Sequence, residues 1–172
     1  HKWISYNKDS LSGLDSITGQ RIFVVTDPFM VKSGSLDKIT DHLKDNNELE
    51  IFSDVKPDPP ITEITKGIEV LQNFKATLLV AVGGGSAIDA TKAMKYFAKQ
   101  ASPDDAELDL IAVPTTSGTG SEVTNFAVIT DSEKGVKYPL VTDEILPKIA
   151  LLDANLVASA PQNITVDTGM DV

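Results

Sequence analysis

The chain has 172 residues, 41% of them hydrophobic, and this length suits one domain with a full core. The formal net charge of −10 argues against nucleic acid or an anionic membrane surface as a partner. Because the chain has no cysteine, a disulfide framework and a thiolate metal site are excluded. No apolar stretch is long enough to span a bilayer, and the N-terminus lacks the apolar core of a signal peptide, so we expect a cytoplasmic protein without a membrane partner.

Strand and helix patterns alternate along the first half of the chain. Trp3, Ile4 and Tyr6 suggest a short edge strand. Such a strand could pair with a second copy of the chain, so a homo-oligomer is possible. Phe29–Leu43 carries apolar residues at helical spacing, and Gly34 moves the expected helix start towards Ser35. The other elements predicted here are the strands Arg21–Thr26 and Glu48–Ser53 and the helix Ile61–Phe74, with Thr62 as its N-cap.

The stretch Leu78–Met94 (LLVAVGGGSAIDATKAM) has the pattern of a strand, a glycine turn and a helix. Its apolar run is typical of a strand buried on both faces, and the pattern becomes helical from Ala87. Glycines let a ligand approach the backbone, and a helix start supplies unpaired N–H groups and a positive dipole end. The arrangement favours phosphate binding, although the spacing matches neither G-x-G-x-x-G nor G-x-x-x-x-G-K-[ST], and a tight turn without a ligand would look the same.

A second polar loop, Pro114–Thr124 (PTTSGTGSEVT), follows another apolar run, Leu108–Val113. It holds five hydroxyl residues before Glu122 and two glycines, a composition that a solvated linker could also have. The elements predicted around and after it are a strand at Leu110–Val113, a hairpin of Phe126–Thr130 and Val136–Val141, a strand at Lys148–Leu152, and helices at Ala154–Ala158 and from Pro161.

The alternation of strands and helices predicts an α/β fold. The sheet should be mostly parallel, with helices on both faces and the hairpin as an addition at one side. Loops that follow parallel strands open at the carboxyl edge of the sheet, where ligands bind in open α/β folds. We therefore expect the glycine turn and the hydroxyl-rich loop to lie at the same edge.

Three motifs together resemble those of the iron-containing (group III) alcohol dehydrogenases: GGGSAIDATK, PTTSGTGSEVT, and TGMD at Thr168–Asp171. The resemblance runs from about Ile22 to the end. The stretch EKGVKYPL (Glu133–Leu140) and the ending TGMDV look most like the propanol dehydrogenase branch of propanediol utilisation, which would allow a location inside a bacterial microcompartment. The resemblance implies a Rossmann-like dinucleotide-binding domain over residues 1–160 and, over residues 161–172, the start of an all-helical metal-binding domain whose remainder is missing.

Asp27 directly follows the first strong strand and precedes Pro28. A carboxylate there can accept the hydroxyls of an adenosine ribose and repel a 2′-phosphate, while a turn-forming Asp before Pro28 is the alternative that the residues leave open. The resemblance implies the ribose role and a preference for NAD over NADP. It also implies that the backbone of the triple-glycine turn holds the pyrophosphate, through Gly83, Gly84, Gly85 and Ser86.

The resemblance places further residues near the cofactor, each with a structural alternative. Asp89 could sit on the substrate side of the nicotinamide or stabilise the helix start, and Lys92 is expected to be structural or solvated. Lys137 could lie near the nicotinamide ribose or be an exposed hairpin charge. The hydroxyls of the second loop could bind the cofactor or cap turns of their own loop. The loop residues that the resemblance implies as cofactor contacts are Thr115, Thr116, Thr119, Ser121 and Thr124. The resemblance also implies that Leu152 packs on the nicotinamide or ribose.

Asp171 is the one metal ligand that the resemblance assigns to this chain. In the family, a histidine four residues later and two histidines from a later helical domain complete the site, whereas this chain ends at Val172. His1 and His42 match neither position. A single carboxylate does not hold Fe²⁺ or Zn²⁺ tightly, so we expect the chain by itself to be metal-free.

The resemblance implies metal-assisted hydride transfer between NAD(H) and a small primary alcohol or aldehyde. We expect this chain to be the nucleotide-binding half of such an enzyme, with no catalytic residue of its own and no activity when alone. Two alternatives stay open: a glycerol dehydrogenase or dehydroquinate synthase-like relative that uses zinc, and a nucleotide-binding module without catalytic activity. The motifs PTTSGTGSEVT and TGMD argue against the first.

Overall fold

The computed structural model describes residues 3–5, 10–116, 120–152 and 156. The strands in this part of the chain are β1 (Trp3–Ser5), β2 (Arg21–Val25), β3 (Glu48–Phe52), β4 (Leu78–Gly83), β5 (Asp109–Pro114), β6 (Phe126–Asp131), β7 (Val136–Val141) and β8 (Ile149–Leu151). The helices are α1 (Pro28–Lys32), α2 (Asp37–Thr40), α3 (Ile61–Phe74) and α4 (Gly85–Ala101), and short 3₁₀ helices lie at Ser10–Ser16, Ser121–Val123 and Asp143–Ile145.

Six strands form one parallel sheet in the order β1-β8-β5-β4-β2-β3. The strands β6 and β7 form a separate antiparallel hairpin. The predicted α/β fold, with a parallel sheet and an added hairpin, is therefore confirmed, and β1 is an edge strand as expected. Because β4 and β5 lie side by side in the middle of the sheet, the loops that follow them are neighbours at its carboxyl edge.

The sheet is covered on both faces, which is why its central strands are apolar at successive positions. Phe23 and Val25 of β2 belong to the core cluster that includes the inner residues of α3 and α4. Ile22 and Val24 belong instead to the cluster formed with residues of α1 and α2. Successive side chains of a strand point to opposite faces, so one apolar run supplies both cores.

The sequence predicts one helix within Phe29–Leu43 that starts near Ser35 because of Gly34. The interruption at Gly34 is confirmed, whereas the short helix α1 before it is not predicted. The chain forms two short helices there, and Gly34 between them has a φ of +79°, a left-handed conformation that interrupts an α-helix. Most of the apolar residues of the pattern are still buried, because the second half of the segment keeps facing the sheet: Leu36, Ile39 and Leu43 are buried, whereas Val31 is exposed.

Other predicted elements agree with the structure to within a few residues. Pro60 occupies the cap position of α3, and no side chain caps that helix, so the capping role predicted for Thr62 is wrong. Helix α4 begins at Gly85 rather than at Ala87. The predicted helix from Pro161 and the domain boundary after residue 160 lie outside the described residues, as does the helix predicted at Ala154–Ala158 apart from Leu156.

Candidate nucleotide-binding site

The glycine turn joins the buried central strand β4 to the start of α4. Gly84 is the N-cap of this 17-residue helix, and no side chain caps it. The N–H groups of the first helical turn have no intrahelical partners, and they form the positive end of the helix dipole. The turn therefore presents backbone donors at the carboxyl edge of the sheet, which suits an anionic group.

Gly83 has no room for a side chain. Its φ is +149°, and a Cβ added there would come within 2.9 Å of both the Cβ of Ala87 and Oδ2 of Asp27. The turn can thus pass between the helix and the end of β2 only with glycine at this position. The same distances place the carboxylate of Asp27 directly against the glycine turn.

Asp27 and its neighbour tie the end of β2 to the site. The N–H of Met30 donates to Oδ1 of Asp27 at 2.9 Å, so this carboxylate caps α1. The hydroxyl of Thr26, which is fully buried, donates to the carbonyl of Val82 at 2.7 Å. The position of Asp27 therefore allows both of the roles considered for it, the turn-forming residue and the acceptor of ribose hydroxyls. One oxygen of its carboxylate caps α1, and the other lies beside Gly83.

The first residues of the hydroxyl-rich loop lie against the glycine turn. The N–H of Thr115 donates to the carbonyl of Gly83 at 2.9 Å, and Thr115 is buried. A Cβ at Gly84 would lie 3.3 Å from Oγ1 of Thr116 and 3.4 Å from its Cγ2. The structure thus brings the two loops together, as the sequence predicts, whereas Thr119 lies outside the described residues.

Asp89, in the second turn of α4, binds the far end of the hydroxyl-rich loop and the hairpin. Its Oδ1 accepts a hydrogen bond from Oγ of Ser121 at 2.6 Å, and its Oδ2 accepts one from the N–H of Val128 at 3.2 Å. Burial raises the pKa of this carboxyl, against the lowering effect of the Ser121 and Val128 hydrogen bonds and of the Lys92 charge. In this structure Asp89 therefore holds neighbouring segments of the protein together.

Lys92 lies one turn further along α4 and is fully buried, so of its two expected roles the structural one is confirmed and the solvated one is wrong. Its ammonium donates to the carbonyl oxygens of Ser121 and Phe126 and to the hydroxyl of Thr124. The signal that could have identified this role is the spacing of Asp89 and Lys92, because residues three apart share one side of a helix.

Two further predicted residues belong to other elements, the hairpin and the end of β8. Lys137, on the exposed strand β7, has its ammonium 3.4 Å from Oδ1 of Asp58. The bridge between Pro60 and Thr130 holds the hairpin against the loop that precedes α3. Leu152 directly follows β8 and is half-buried. Their roles towards a cofactor stay predictions.

The described residues contain no group of three or more His, Cys, Asp or Glu side chains that could hold a metal ion. Asp171 lies outside them, so its role as a ligand stays a prediction. Among the helices that the structure describes, none is both long and apolar enough to cross a membrane.

A cavity of about 620 Å³ lies at the opposite edge of the sheet, next to the carboxyl ends of α3 and α4. Two of the lysines that line it are engaged within the protein: the ammonium of Lys95 pairs with Glu107 at 3.0 Å, and that of Lys99 donates to the carbonyl oxygens of Pro103 and Asp105. It lies away from the glycine turn and the hydroxyl-rich loop, so we place the candidate site at the carboxyl edge.

The parallel sheet and the glycine turn before α4 define the class of the chain as a Rossmann-like α/β domain. Residues 2–154 match the model of the family described as iron-containing alcohol dehydrogenase. The chain belongs to this family, which confirms the resemblance found in its motifs.

Individual relatives agree with this assignment. The chain is 43% identical over 164 residues to 1-propanol dehydrogenase PduQ of Citrobacter freundii, an alignment that covers 95% of this chain and 44% of that protein. Sulfoacetaldehyde reductase from Bifidobacterium kashiwanohense, solved in complex with NAD⁺, matches with a TM-score of 0.87 and 33% identity over 99% of this chain and 49% of its own. An iron-containing alcohol dehydrogenase from Thermococcus thioreducens matches with a TM-score of 0.89 and 31% identity over 99% and 50% of the two chains. The chain thus spans half or less of the length of these relatives.

Proposed function

We propose that this chain is the NAD(H)-binding half of an enzyme that transfers hydride between the nicotinamide and a small primary alcohol or aldehyde. The observation that carries the proposal is the glycine turn, where a helix start without a side-chain cap adjoins Gly83, which has no room for a Cβ. The names of the relatives support the substrate class, since PduQ is a propanol dehydrogenase and the Bifidobacterium enzyme is an aldehyde reductase crystallised with NAD⁺.

The residues at the carboxyl edge fit the parts of this cofactor. The backbone of the glycine turn would hold the pyrophosphate, for which N–H donors and a positive helix end are suited. Hydroxyl groups can bind ribose and amide groups without adding charge. The side chains that would line the rest of the cofactor are those of Thr115, Thr116, Thr119, Ser121, Thr124, Lys137 and Leu152, with Asp89 towards the substrate side of the nicotinamide.

Asp27 would set the preference for NAD(H). Its Oδ1 is committed to the N–H of Met30, while Oδ2 lies against Gly83 at the place where the glycine turn begins. A fixed carboxylate there can accept ribose hydroxyls, and its charge would repel the 2′-phosphate of NADP⁺.

The chemistry of the reaction would come from the bound nicotinamide, which accepts or donates the hydride. The part of this chain is to bind the cofactor and hold its ring in place. A metal ion, Fe²⁺ or Zn²⁺, would be held by Asp171 together with residues that this chain does not include. We therefore propose that the chain alone binds cofactor without turning over an alcohol. The edge strand β1 is a candidate contact for a homo-oligomer.

The experiment that tests the proposal is a calorimetric titration of NAD⁺ into the chain and into the variant Gly84→Val. Gly84 has a φ of −84°, which any residue adopts, so the variant should fold. Its side chain would fill the space beside Thr116 and block the approach of a ligand to the turn. We expect NAD⁺ to bind the unchanged chain and the variant to bind at least about tenfold more weakly.

The matched control is Gly19→Val, which changes a glycine with nothing within 4 Å of an added Cβ. This control should bind NAD⁺ with unchanged affinity, although its φ of +70° makes it less stable. Equal NAD⁺ affinity of the unchanged chain and Gly84→Val would remove the glycine turn from the proposal. Failure of the unchanged chain to bind NAD⁺ would contradict the proposal itself.

A further inference from the structure

We propose that Lys92 is a positioning residue whose buried ammonium, together with the carboxylate of Asp89, fixes residues 120–128 against α4 and thereby sets the place of the hydroxyl groups that line the nucleotide site. We call Asp89 and Lys92 the helix clamp. The inference rests on the proposed function, because it concerns the loop through which this chain would contact the cofactor.

Lys92 is fully buried, and its ammonium forms several hydrogen bonds with the segment that follows Gly120. It donates to the carbonyl of Phe126 at 2.9 Å, to Oγ1 of Thr124 at 3.3 Å and to the carbonyl of Ser121. A further contact at 3.4 Å joins it to Oγ of Ser121. Burying a charge is unfavourable unless hydrogen bonds compensate it, so the position of this segment and the burial of the ammonium depend on each other.

Asp89 grips the same segment with the opposite charge. Ser121 is held twice, because its hydroxyl donates to Asp89 at 2.6 Å while its carbonyl accepts from Lys92. The N–H of Val128 donates to the other oxygen of Asp89 at 3.2 Å. The helix clamp therefore fixes the segment at both of its ends, the 3₁₀ turn and the first residues of β6.

Other contacts hold the hairpin end of the segment, because Ala127 is buried, the N–H of Thr142 donates to the carbonyl of Asn125 at 3.0 Å, and β6 pairs with β7. The part that precedes the hairpin depends more on polar contacts. Of the residues from 120 to 125, only Val123 is aliphatic, and Ser121 alone is buried. The 3₁₀ turn has internal hydrogen bonds from Val123 to Gly120 at 3.0 Å and from Thr124 to Ser121 at 3.5 Å, which shape the turn but do not attach it to the sheet. The attachment of residues 120–124 to α4 is thus largely polar, and the helix clamp contributes to it through Ser121 and Thr124.

A loop held in its binding conformation before the ligand arrives binds more tightly, because less freedom is lost on association. The hydroxyls of Ser121 and Thr124 are among the proposed contacts of the cofactor, and both lie within hydrogen-bonding distance of Lys92. Loss of the ammonium should therefore weaken NAD⁺ binding, although Lys92 lies beneath the loop.

The absence of cysteine from the sequence permits a test with a change of one functional group. The variant Lys92→Cys is alkylated in denaturant with 2-bromoethylamine, which restores an ammonium at nearly the length of lysine. A second sample is alkylated with 1-bromopropane, which gives a side chain of equal length that ends in a methyl group. Both samples are refolded, and their NAD⁺ affinities and the amide hydrogen exchange of residues 120–128 and of β4 are measured.

We expect the sample with the ammonium to bind NAD⁺ within about threefold of the unchanged chain, and the propyl sample to bind at least about tenfold more weakly. Amide exchange in the propyl sample should become faster in residues 120–128 and stay unchanged in β4. Equal NAD⁺ affinity of the two samples would overturn the inference. Unchanged exchange in residues 120–128, or failure of the propyl sample to refold while the ammonium sample refolds, would also overturn it, since Lys92 would then act on the whole fold.

Lys95→Met is the matched control on the same helix. Lys95 is also buried, but its ammonium pairs with Glu107 at the opposite edge of the sheet. This variant should lower the free energy of unfolding while leaving the NAD⁺ affinity unchanged, and an equal loss of affinity would contradict the specific role of Lys92. If the unchanged chain binds no NAD⁺, the proposed function fails, and the difference in exchange between the two alkylated samples then decides by itself whether Lys92 positions the segment.

Discussion

Asp27 serves two neighbours at once. Its Oδ1 caps α1 through the N–H of Met30 at 2.9 Å, and its Oδ2 lies where a Cβ of Gly83 would be 2.9 Å away. Replacement by glycine would therefore remove the cap and the charge together. An asparagine separates the two effects, because it caps a helix about as well as aspartate but carries no charge.

We predict that Asp27→Asn reduces the preference for NAD⁺ over NADP⁺ by about tenfold while leaving the chain folded, because the repulsion of the 2′-phosphate is lost and the cap is kept. Calorimetric titration with each dinucleotide measures the ratio of the two dissociation constants. An unchanged ratio would mean that the charge of Asp27 does not discriminate between the two cofactors.

The buried carboxyl of Asp89 gives a prediction for the pH dependence of stability. Burial raises its pKa in the folded chain, so between the unfolded and folded pKa values the folded state binds more protons. Its contribution to the free energy of unfolding therefore decreases as the pH rises through that window. The difference in this free energy, Asp89→Asn minus unchanged chain, should become more positive with rising pH.

Urea unfolding at a series of pH values above about 4, the ordinary pKa of an aspartate, measures this difference. Glu63→Gln should behave with the same sign, since burial also raises the pKa of Glu63. A difference that becomes more negative with pH for Asp89→Asn would mean that the hydrogen bonds of the helix clamp outweigh burial.

At the scale of single elements, the glycine turn requires glycine at residue 83 for two reasons. It needs a backbone conformation that side chains rarely adopt, and it needs empty space beside Ala87 and Asp27. Gly135, in the turn between β6 and β7, shares the first requirement with a φ of +65° but has nothing within 4 Å of an added Cβ. The two positions thus separate steric crowding from backbone strain.

We predict that Gly83→Ala lowers the free energy of unfolding by roughly 3 kcal/mol, the sum of backbone strain and overpacking. Gly135→Ala should lower it by about 1 kcal/mol, because only strain contributes. Urea denaturation of both variants measures the difference. Equal losses would show that the space beside Gly83 can open without cost.

The elements that the sequence predicts well are those set by local pattern. The apolar runs gave β2, β4 and β5 nearly to the residue, because strands buried on both faces have no polar positions to confuse the pattern. The segment after Asp27 agrees less well with the prediction, because Gly34 interrupts the helical pattern as expected but the short helix α1 before it is not predicted. The spacing of apolar residues indicates which side of a segment faces the core. It does not indicate how the segment divides into short helices.

At the scale of the whole molecule, the meeting of the two polar loops follows from the order of the strands. A parallel sheet places the carboxyl ends of β4 and β5 side by side, so the contact between Gly83 and Thr115 could be expected from sequence. The helix clamp could not, because it joins Lys92 to Ser121 and Phe126, which lie 29 and 34 positions further along the chain. Such pairs depend on where the hairpin folds back, which no local pattern encodes.

The measurement that tests the central claim most directly is the change in amide hydrogen exchange when NAD⁺ is added to the chain. We predict slower exchange in residues 83–89 and 115–124, at the carboxyl edge. We predict no change in residues 71–77 and 102–108, two stretches that contribute to the lining of the cavity at the opposite edge. Protection confined to the cavity residues, or no protection at saturating NAD⁺, would contradict the assignment of the nucleotide site to the glycine turn.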